Sequence, residues 1–369
     1  MTASPSQIIR EDIQAMSAYA VQSSAGMVKL DAMENPYSLP EPLRQEIASL
    51  VATSEINRYP DSVASNLKDR LRQTMVIPTG ADILLGNGSD EIIQIIIQAC
   101  ARPGAVIMAP TPTFVMYRQY ALIAGLKFVG VPLASDFSLD LDRFLAAMRE
   151  HNPAVVFISY PNNPSGNLFS EKSISQVLVE APGLVVLDEA YQAFAGATFM
   201  SRLSDFPNMI ALRTVSKIGL AGLRLGYAAG LSGWIEEFNK VRSPYNVGVL
   251  TQLVAEKVLA HNSVIERQAA DICAEREKLV MVLKSISGIT PFPSVANFIL
   301  ARVPDASQVF EALRQHNILI KNLHGSHPLL DNCLRFTIGT TVENDLLISA
   351  LRTILGASNH GVEAADRVR

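Results

Sequence analysis

Leu212-Arg-Thr-Val-Ser-Lys-Ile-Gly-Leu-Ala-Gly-Leu-Arg-Leu-Gly226 lies between two short apolar runs, Met209 to Leu212 and Tyr227 to Leu231. Runs that are apolar throughout fit strands covered on both faces. The loop carries one lysine, Lys217, among small hydroxyl residues, with Arg224 downstream. A free ammonium in so apolar a turn is costly to desolvate. A lysine engaged in a Schiff base avoids that cost, and a desolvated lysine loses its proton more readily. Thr214, Ser216 and Arg224 then read as ligands for a phosphate. A lysine beside phosphate ligands points to pyridoxal phosphate as cofactor.

Outward from this loop the pattern repeats. Ala105–Ala109, Lys127–Val131, Ala154–Ser159 and Leu184–Leu187 are also strand-like, and helix-period stretches intervene at Asp90–Ala101, Pro112–Ala124, Leu139–Glu150 and Glu171–Val179. Such alternation predicts an α/β layered fold with a mostly parallel sheet between helices. Beyond Trp234 come two long helices, Val247–His261 and Ile265–Lys284. A strand at Asn297–Arg302, a helix at Ala306–His316, strands at Ile318–Lys321 and Cys333–Ile338, and a helix from Glu343 to Leu355 follow. These read as a smaller α+β domain. The expected division is a large cofactor-binding domain over residues 49–261 and a discontinuous small domain of residues 1–48 and 262–369.

The chain has 369 residues, and 31 basic against 35 acidic side chains leave a formal charge of −4. This mild acidity offers no electrostatic reason to expect nucleic acid or an anionic membrane as partner. No run reaches the ~18 apolar residues of a membrane helix. The nearest, Ile92 to Cys100, is interrupted by Gln94 and Gln98 and reads as a buried core helix. Cys100, Cys273 and Cys333 are odd in number and widely spaced, which fits reduced thiols in a cytoplasmic protein. No residues in the sequence read as a metal site.

In an open α/β sheet, ligands gather at the carboxyl ends of the strands, and three more motifs are expected there. Leu84-Leu-Gly-Asn-Gly-Ser-Asp-Glu91 opens a helix. It reads either as a phosphate-binding helix start or as a capped turn with Ser89 as N-cap and Asp90 and Glu91 favoured by the helix dipole. Tyr160-Pro-Asn-Asn-Pro-Ser-Gly166 is a turn in any protein, and it also offers the Asn163 amide to a phenolic oxygen. Leu184-Val-Val-Leu-Asp-Glu-Ala-Tyr191 ends a buried strand on Asp188. No Gly-x-x-x-x-Gly-Lys-Ser/Thr precedes it, so a nucleotide site is not indicated. Asp188 reads as a partner for a pyridinium nitrogen, the electron sink of pyridoxal chemistry.

Together these motifs resemble the fold-type I pyridoxal-phosphate aminotransferases, over about Tyr19 to Leu355. The likeness includes Lys29-Leu-Asp-Ala-Met-Glu-Asn-Pro-Tyr37, Asn57-Arg-Tyr-Pro-Asp61, Pro110-Thr-Pro-Thr-Phe-Val-Met-Tyr117, Ser216-Lys217 and Cys333-Leu-Arg-Phe-Thr-Ile-Gly339. The first and last of these are particular to the branch that acts on histidinol phosphate. The resemblance implies that Lys217 is the Schiff-base lysine, Asp188 the ring-nitrogen partner, and Asn163 and Tyr191 the ligands of the phenolic oxygen. It makes Phe114 the stacking aromatic, and Ser89, Asp90, Thr214, Ser216 and Arg224 the phosphate cup. Tyr59 would reach the neighbouring subunit's cofactor, implying a homodimer with shared sites. Arg335 would bind the anionic end of the substrate, and Tyr19, Asn297 and Lys321 would face it.

The implied reaction is amino transfer between L-histidinol phosphate and 2-oxoglutarate, giving imidazole-acetol phosphate and L-glutamate, in histidine biosynthesis. Alternatives on the same fold are an aromatic-amino-acid aminotransferase and a phosphothreonine decarboxylase. Two departures stand out. Lys217 and Arg224 are seven positions apart where many relatives have eight, and Lys321 stands where many carry an arginine. Lysine lacks the bidentate fork of arginine.

Overall fold

The computed structural model describes residues 4–18 and 21–366. In chain order its strands are β1 (Val28–Leu30), β2 (Asp82–Asn87), β3 (Val106–Thr111), β4 (Lys127–Pro132), β5 (Val155–Ser159), β6 (Leu184–Asp188), β7 (Met209–Thr214), β8 (Leu225–Gly230), β9 (Thr290–Pro291), β10 (Phe298–Arg302), β11 (Ile318–Asn322) and β12 (Cys333–Thr337). Seven form a large sheet in the order β2-β8-β7-β6-β5-β3-β4, and five a smaller one in the order β1-β11-β12-β10-β9. In the large sheet only β8 runs against its neighbours, β2 and β7; the other pairings are parallel.

Both faces of the large sheet are covered, which is why its strands are apolar without alternation. Val155, Phe157, Leu184, Val186, Ile210 and Leu212 fill one side, together with Ile92, Ile93, Ile96 and Ile97 of the Ser89–Ala99 helix. Val156, Ile158, Val185, Leu187, Met209 and Ala211 fill the other. Each buried valine, leucine or isoleucine contributes about 1.5–3 kcal/mol, so these strands and their register are strongly specified. The expected α/β fold with a mostly parallel sheet is the fold observed.

The smaller sheet joins the two ends of the chain: Val28, Lys29 and Leu30 pair in parallel with Ile318, Leu319 and Ile320. The expected cut at residue 48 falls inside the Glu41–Ala52 helix. Ile47 of that helix packs on the large-sheet core, so the chain passes between the layers before Glu41. Strands β1, β2 and β9 were not expected. The first and last are too short to show a period, and β2 ends in Gly86-Asn87, which reads as a loop. The helix expected from Leu139 starts at Leu141, because the Asp140 side chain accepts from Arg143 N as an N-cap.

Candidate cofactor and substrate site

The four expected motifs meet along one edge of the large sheet. Adjacent strands place Asn87 beside Leu225, Gly226 beside Thr214, Leu212 beside Asp188, and Asp188 beside Ser159. Since β8 is antiparallel, its beginning shares this edge with the carboxyl ends of β2, β7, β6 and β5.

At one end of the edge is a cup. Gly88, not Ser89, is the N-cap of the Ser89–Ala99 helix, because φ of +84° there suits glycine. Ser89 and Asp90 therefore lie in the first turn, whose N–H groups have no helical acceptor. A Cβ on Gly88 would lie 2.6 Å from Arg224 Nη2, and one on Gly226 would lie 2.5 Å from Gly88 C. Both positions are glycine because backbone and guanidinium pass this closely. Thr214 Oγ1 and Ser216 Oγ are 2.9 Å apart, and Arg224 Nη1 is 3.5 Å from Ser216 Oγ.

Despite the seven-residue spacing, then, Arg224 reaches the cup. Two 3-10 turns, Ser216–Ile218 and Ala221–Leu223, take up the chain, and Arg224 itself is left-handed at φ +48°. The Asp90 carboxylate pairs with Arg224 Nη2 at 3.2 Å. Behind the cup, Glu91 accepts from Asn87 N and from Asn246 Nδ2, each at 2.6 Å, and so braces the turn. Free N–H groups, two hydroxyls and a guanidinium suit a phosphate.

Lys217 is half-buried in the first 3-10 turn, and its Nζ donates to Ala32 O at 3.1 Å. Burial, reinforced by the Arg335 charge, brings its pKa down from 10.5 to about 8, against an opposing pull from Asp90 and Glu34. This is the desolvated lysine that the loop's composition implies. Asp188 is 3% exposed, and burial raises its carboxyl from 3.8 to about 6. Its Oδ2 accepts from Tyr117 Oη at 2.6 Å and its Oδ1 from Ala190 N at 3.1 Å.

Asn163 Nδ2 donates to Tyr191 Oη at 3.3 Å, and Asn163 Oδ1 accepts from Arg335 Nη1 at 2.6 Å. Phe114 stands at the start of the Val115–Ile123 helix with its ring edge-on to Tyr117. Lys321 on β11 is directly opposite Arg335 on β12, which puts both cations on one face of the small sheet. Asn297 is fully buried; its Nδ2 donates to Met33 O at 2.9 Å. Tyr59 is not among these residues: it is 79% exposed and stacks on Tyr245 with centroids 4.4 Å apart. Tyr19 lies outside the described residues.

Sequence reasoning missed the strap Asp31-Ala32-Met33. Its backbone accepts from Arg335 Nη2, Lys217 Nζ and Asn297 Nδ2, while Met33 N donates to Thr337 Oγ1. Backbone acceptors leave no mark in the residue types. It also missed Tyr117, for which a signal exists: it follows Phe114 by three residues, one helical turn.

A family model for class I and II aminotransferases matches residues 25–351. The chain belongs to the class I and II aminotransferase family. It is 52% identical, over 95% of its length and 97% of the relative's, to histidinol-phosphate aminotransferase 2 of Cupriavidus pinatubonensis. With the histidinol-phosphate aminotransferase of Chromobacterium violaceum it shares 51% identity over 94% of this chain and 97% of the other. Among solved structures, histidinol-phosphate aminotransferase from Sinorhizobium meliloti in complex with pyridoxal-5'-phosphate superimposes with a TM-score of 0.84. It is 25% identical, covering 94% of this chain and 97% of that one. The cup, the lowered lysine and the buried aspartate fit such a cofactor: one phosphate cradle, one attachment amine and one acid for the ring nitrogen.

Proposed function

We propose that this aminotransferase moves the amino group of L-histidinol phosphate to 2-oxoglutarate, giving imidazole-acetol phosphate and L-glutamate in histidine biosynthesis, with pyridoxal phosphate as cofactor. One observation carries the substrate reading. The cleft holds a second set of cations besides the cup, Arg335 and Lys321, opposite one another across the β11–β12 ladder. The cup suits the cofactor's phosphate. The second site suits the carboxylate of glutamate in one half-reaction and the phosphate of histidinol phosphate in the other.

When bound, pyridoxal phosphate supplies an electron sink for the charge left on the substrate carbon. Lys217 is the point of covalent attachment; in its free, neutral form it takes the proton from the carbon that bears the amine. Asp188 as a carboxylate holds positive charge on the ring nitrogen. Asn163 and Tyr191 hold the phenolic oxygen, and Phe114 covers the ring. Ser89 and Asp90 through their N–H groups, with Thr214, Ser216 and Arg224, hold the phosphate. Asn297 faces the substrate.

The assembly is a cytoplasmic homodimer in which Tyr59 serves the partner subunit's cofactor. Ile56, Tyr59, Val63, Tyr245 and Leu250 are exposed apolar or aromatic side chains. Tyr59 also lines a cleft of about 330 Å³ with Arg58, Asn66, Val249 and Leu253. Clustered exposed apolar surface of this kind favours association. No described helix is long and apolar enough to cross a membrane. Cys100, Cys273 and Cys333 are unpaired thiols, as a reducing compartment requires.

The test is spectroscopic. Histidinol phosphate added to purified protein with pyridoxal phosphate should discharge the visible band of the lysine-bound cofactor, and 2-oxoglutarate should restore it. Phenylalanine and phosphothreonine should act far more slowly. No visible band in the wild type, or a faster response to phenylalanine, overturns the reading. Sedimentation of the wild type as a monomer overturns the shared-site dimer.

A further inference from the structure

Tyr117 bonds to Asp188 through its side chain, and it has no part in the function described above. It is 0% exposed, in the Val115–Ile123 helix, and its Oη donates to Asp188 Oδ2 at 2.6 Å. Its ring stacks on Phe157 with centroids 4.7 Å apart and planes at 12°, and meets Phe114 edge-on at 5.6 Å. Packed at the density of a protein interior, the ring cannot carry its hydroxyl to another acceptor. A phenylalanine would fill the same space. The hydroxyl is therefore not needed for packing, and its burial is offset by hydrogen bonding, with Asp188 as acceptor and Ser159 as a further side-chain partner.

We propose that Tyr117 is a positioning residue whose hydroxyl keeps Asp188 an oriented carboxylate, so that the acid meets the protonated ring nitrogen as an anion. The proposal rests on the pyridoxal-phosphate reading of the cleft. With Tyr117 on one oxygen and the Ala190 N–H on the other, the carboxylate plane is set, and each oxygen keeps a lone pair.

A buried carboxyl without a countercharge tends to keep its proton. Asp188 feels that tendency: burial raises it, and the neighbouring Asp90 and Glu189 charges add to the rise. Tyr117 and the Ala190 N–H are the groups that oppose it, Tyr117 more strongly. A protonated Asp188 would present a hydrogen where the ring nitrogen also presents one. Tyr117 stays a donor throughout, because burial and the Asp188 charge hold its own proton on far above the ordinary tyrosine range. An O–H···O⁻ bond at this distance is of the short, charge-assisted kind.

The test is Tyr117→Phe in the full chain. It should unfold near the wild-type temperature yet bind pyridoxal phosphate roughly tenfold to a hundredfold more weakly, the size of one charge-assisted hydrogen bond. In cofactor-free protein, the carboxyl carbon of Asp188, followed by NMR, should titrate at higher pH than in wild type. In an Asp188→Asn background the same substitution should cost no further affinity. Unchanged affinity with an unmoved titration overturns the proposal, as does a loss that adds in full to Asp188→Asn. If Tyr117→Phe does not fold, the wild type still decides. Its Tyr117 hydroxyl proton should give a slowly exchanging downfield resonance that Asp188→Asn, whose acceptor is uncharged, moves upfield, and absence of that resonance in wild type overturns the proposal. The cofactor reading fails separately, if wild type forms no visible band with pyridoxal phosphate; the Asp188 titration needs no cofactor.

Discussion

Arg335 on β12 of the small sheet donates from Nη1 to Asn163 Oδ1, 2.6 Å away in the turn after β5 of the large sheet. The same guanidinium donates from Nη2 to Asp31 O at 3.0 Å and lies over the Phe298 ring, 5.3 Å from its centroid. One side chain thus ties the substrate-facing layer to the group expected to hold the cofactor's phenolic oxygen.

Arg335→Ala should therefore impair both half-reactions. Steady-state kinetics should show KM for glutamate and for histidinol phosphate each raised roughly tenfold to a hundredfold, since a bond to a charged group is lost in each. Arg335→Lys should recover only part of this, because lysine cannot hold Asn163 and an anion with one planar fork. Unchanged KM for both substrates would remove Arg335 from the substrate site.

The lowered pKa of Lys217 makes a kinetic prediction. The neutral amine is the nucleophile, and its fraction rises as pH passes through the folded-state pKa of about 8 instead of the ordinary 10.5. Covalent uptake of pyridoxal phosphate by the cofactor-free protein, followed by stopped-flow absorbance, should accelerate with a midpoint near pH 8. A midpoint near 10 would be incompatible with desolvation as the cause. Since the Arg335 charge is the second contributor, Arg335→Ala should move the midpoint upward.

Cofactor retention depends on close packing at the cup. Gly226→Ala would place a methyl group against the Gly88 carbonyl carbon and the Ser89 amide. The phosphate-binding turn must then shift, and pyridoxal phosphate affinity should fall at least tenfold, about 1.4 kcal/mol, with a lower unfolding temperature of the cofactor-free protein as well, since the clash is with backbone. Arg224→Gln, which keeps much of the stem and removes the charge, should weaken affinity similarly. Equilibrium dialysis measures both; wild-type retention by Arg224→Gln would show that the short loop leaves the arginine outside the phosphate's reach.

Glu189 and Arg213 form an ion pair on the residues next to Asp188 and Thr214. Arg213 Nη2 is 2.8 Å from Glu189 Oε2, and the two side chains are 7% and 0% exposed. Thr198 Oγ1 and Phe199 N complete the carboxylate's shell. Removing one partner leaves the other charge buried, at a cost of about 3–5 kcal/mol. Arg213→Met should lower the unfolding temperature sharply in thermal denaturation. Replacing both residues with apolar ones should recover much of the loss; if the double variant is less stable than either single one, the desolvation account fails.

The large sheet was legible because its signal is local. Apolar strands covered on both faces, helix-period stretches between them, and turn residues at strand ends all follow from nearest-neighbour chemistry. So do Lys217, Asp188 and Asn163, each sitting where a strand stops. What was not legible depends on partners far apart in sequence. The left-handed Arg224 that closes the cup depends on the turns before it and on Gly88, 136 positions away. The Ala32 carbonyl meets Lys217 across 185 positions, and Asp31 meets Arg335 across 304. Backbone carbonyls look alike in every residue, so although the Lys29–Tyr37 stretch marks the family, nothing in its residue types says which carbonyls meet which side chains. By itself the sequence determined the layered fold, the strand-end motifs and the amine at their centre. Tertiary structure decided which groups set that amine's proton affinity and which hydroxyl meets Asp188, because burial and hydrogen-bond geometry exist only once distant segments are packed together.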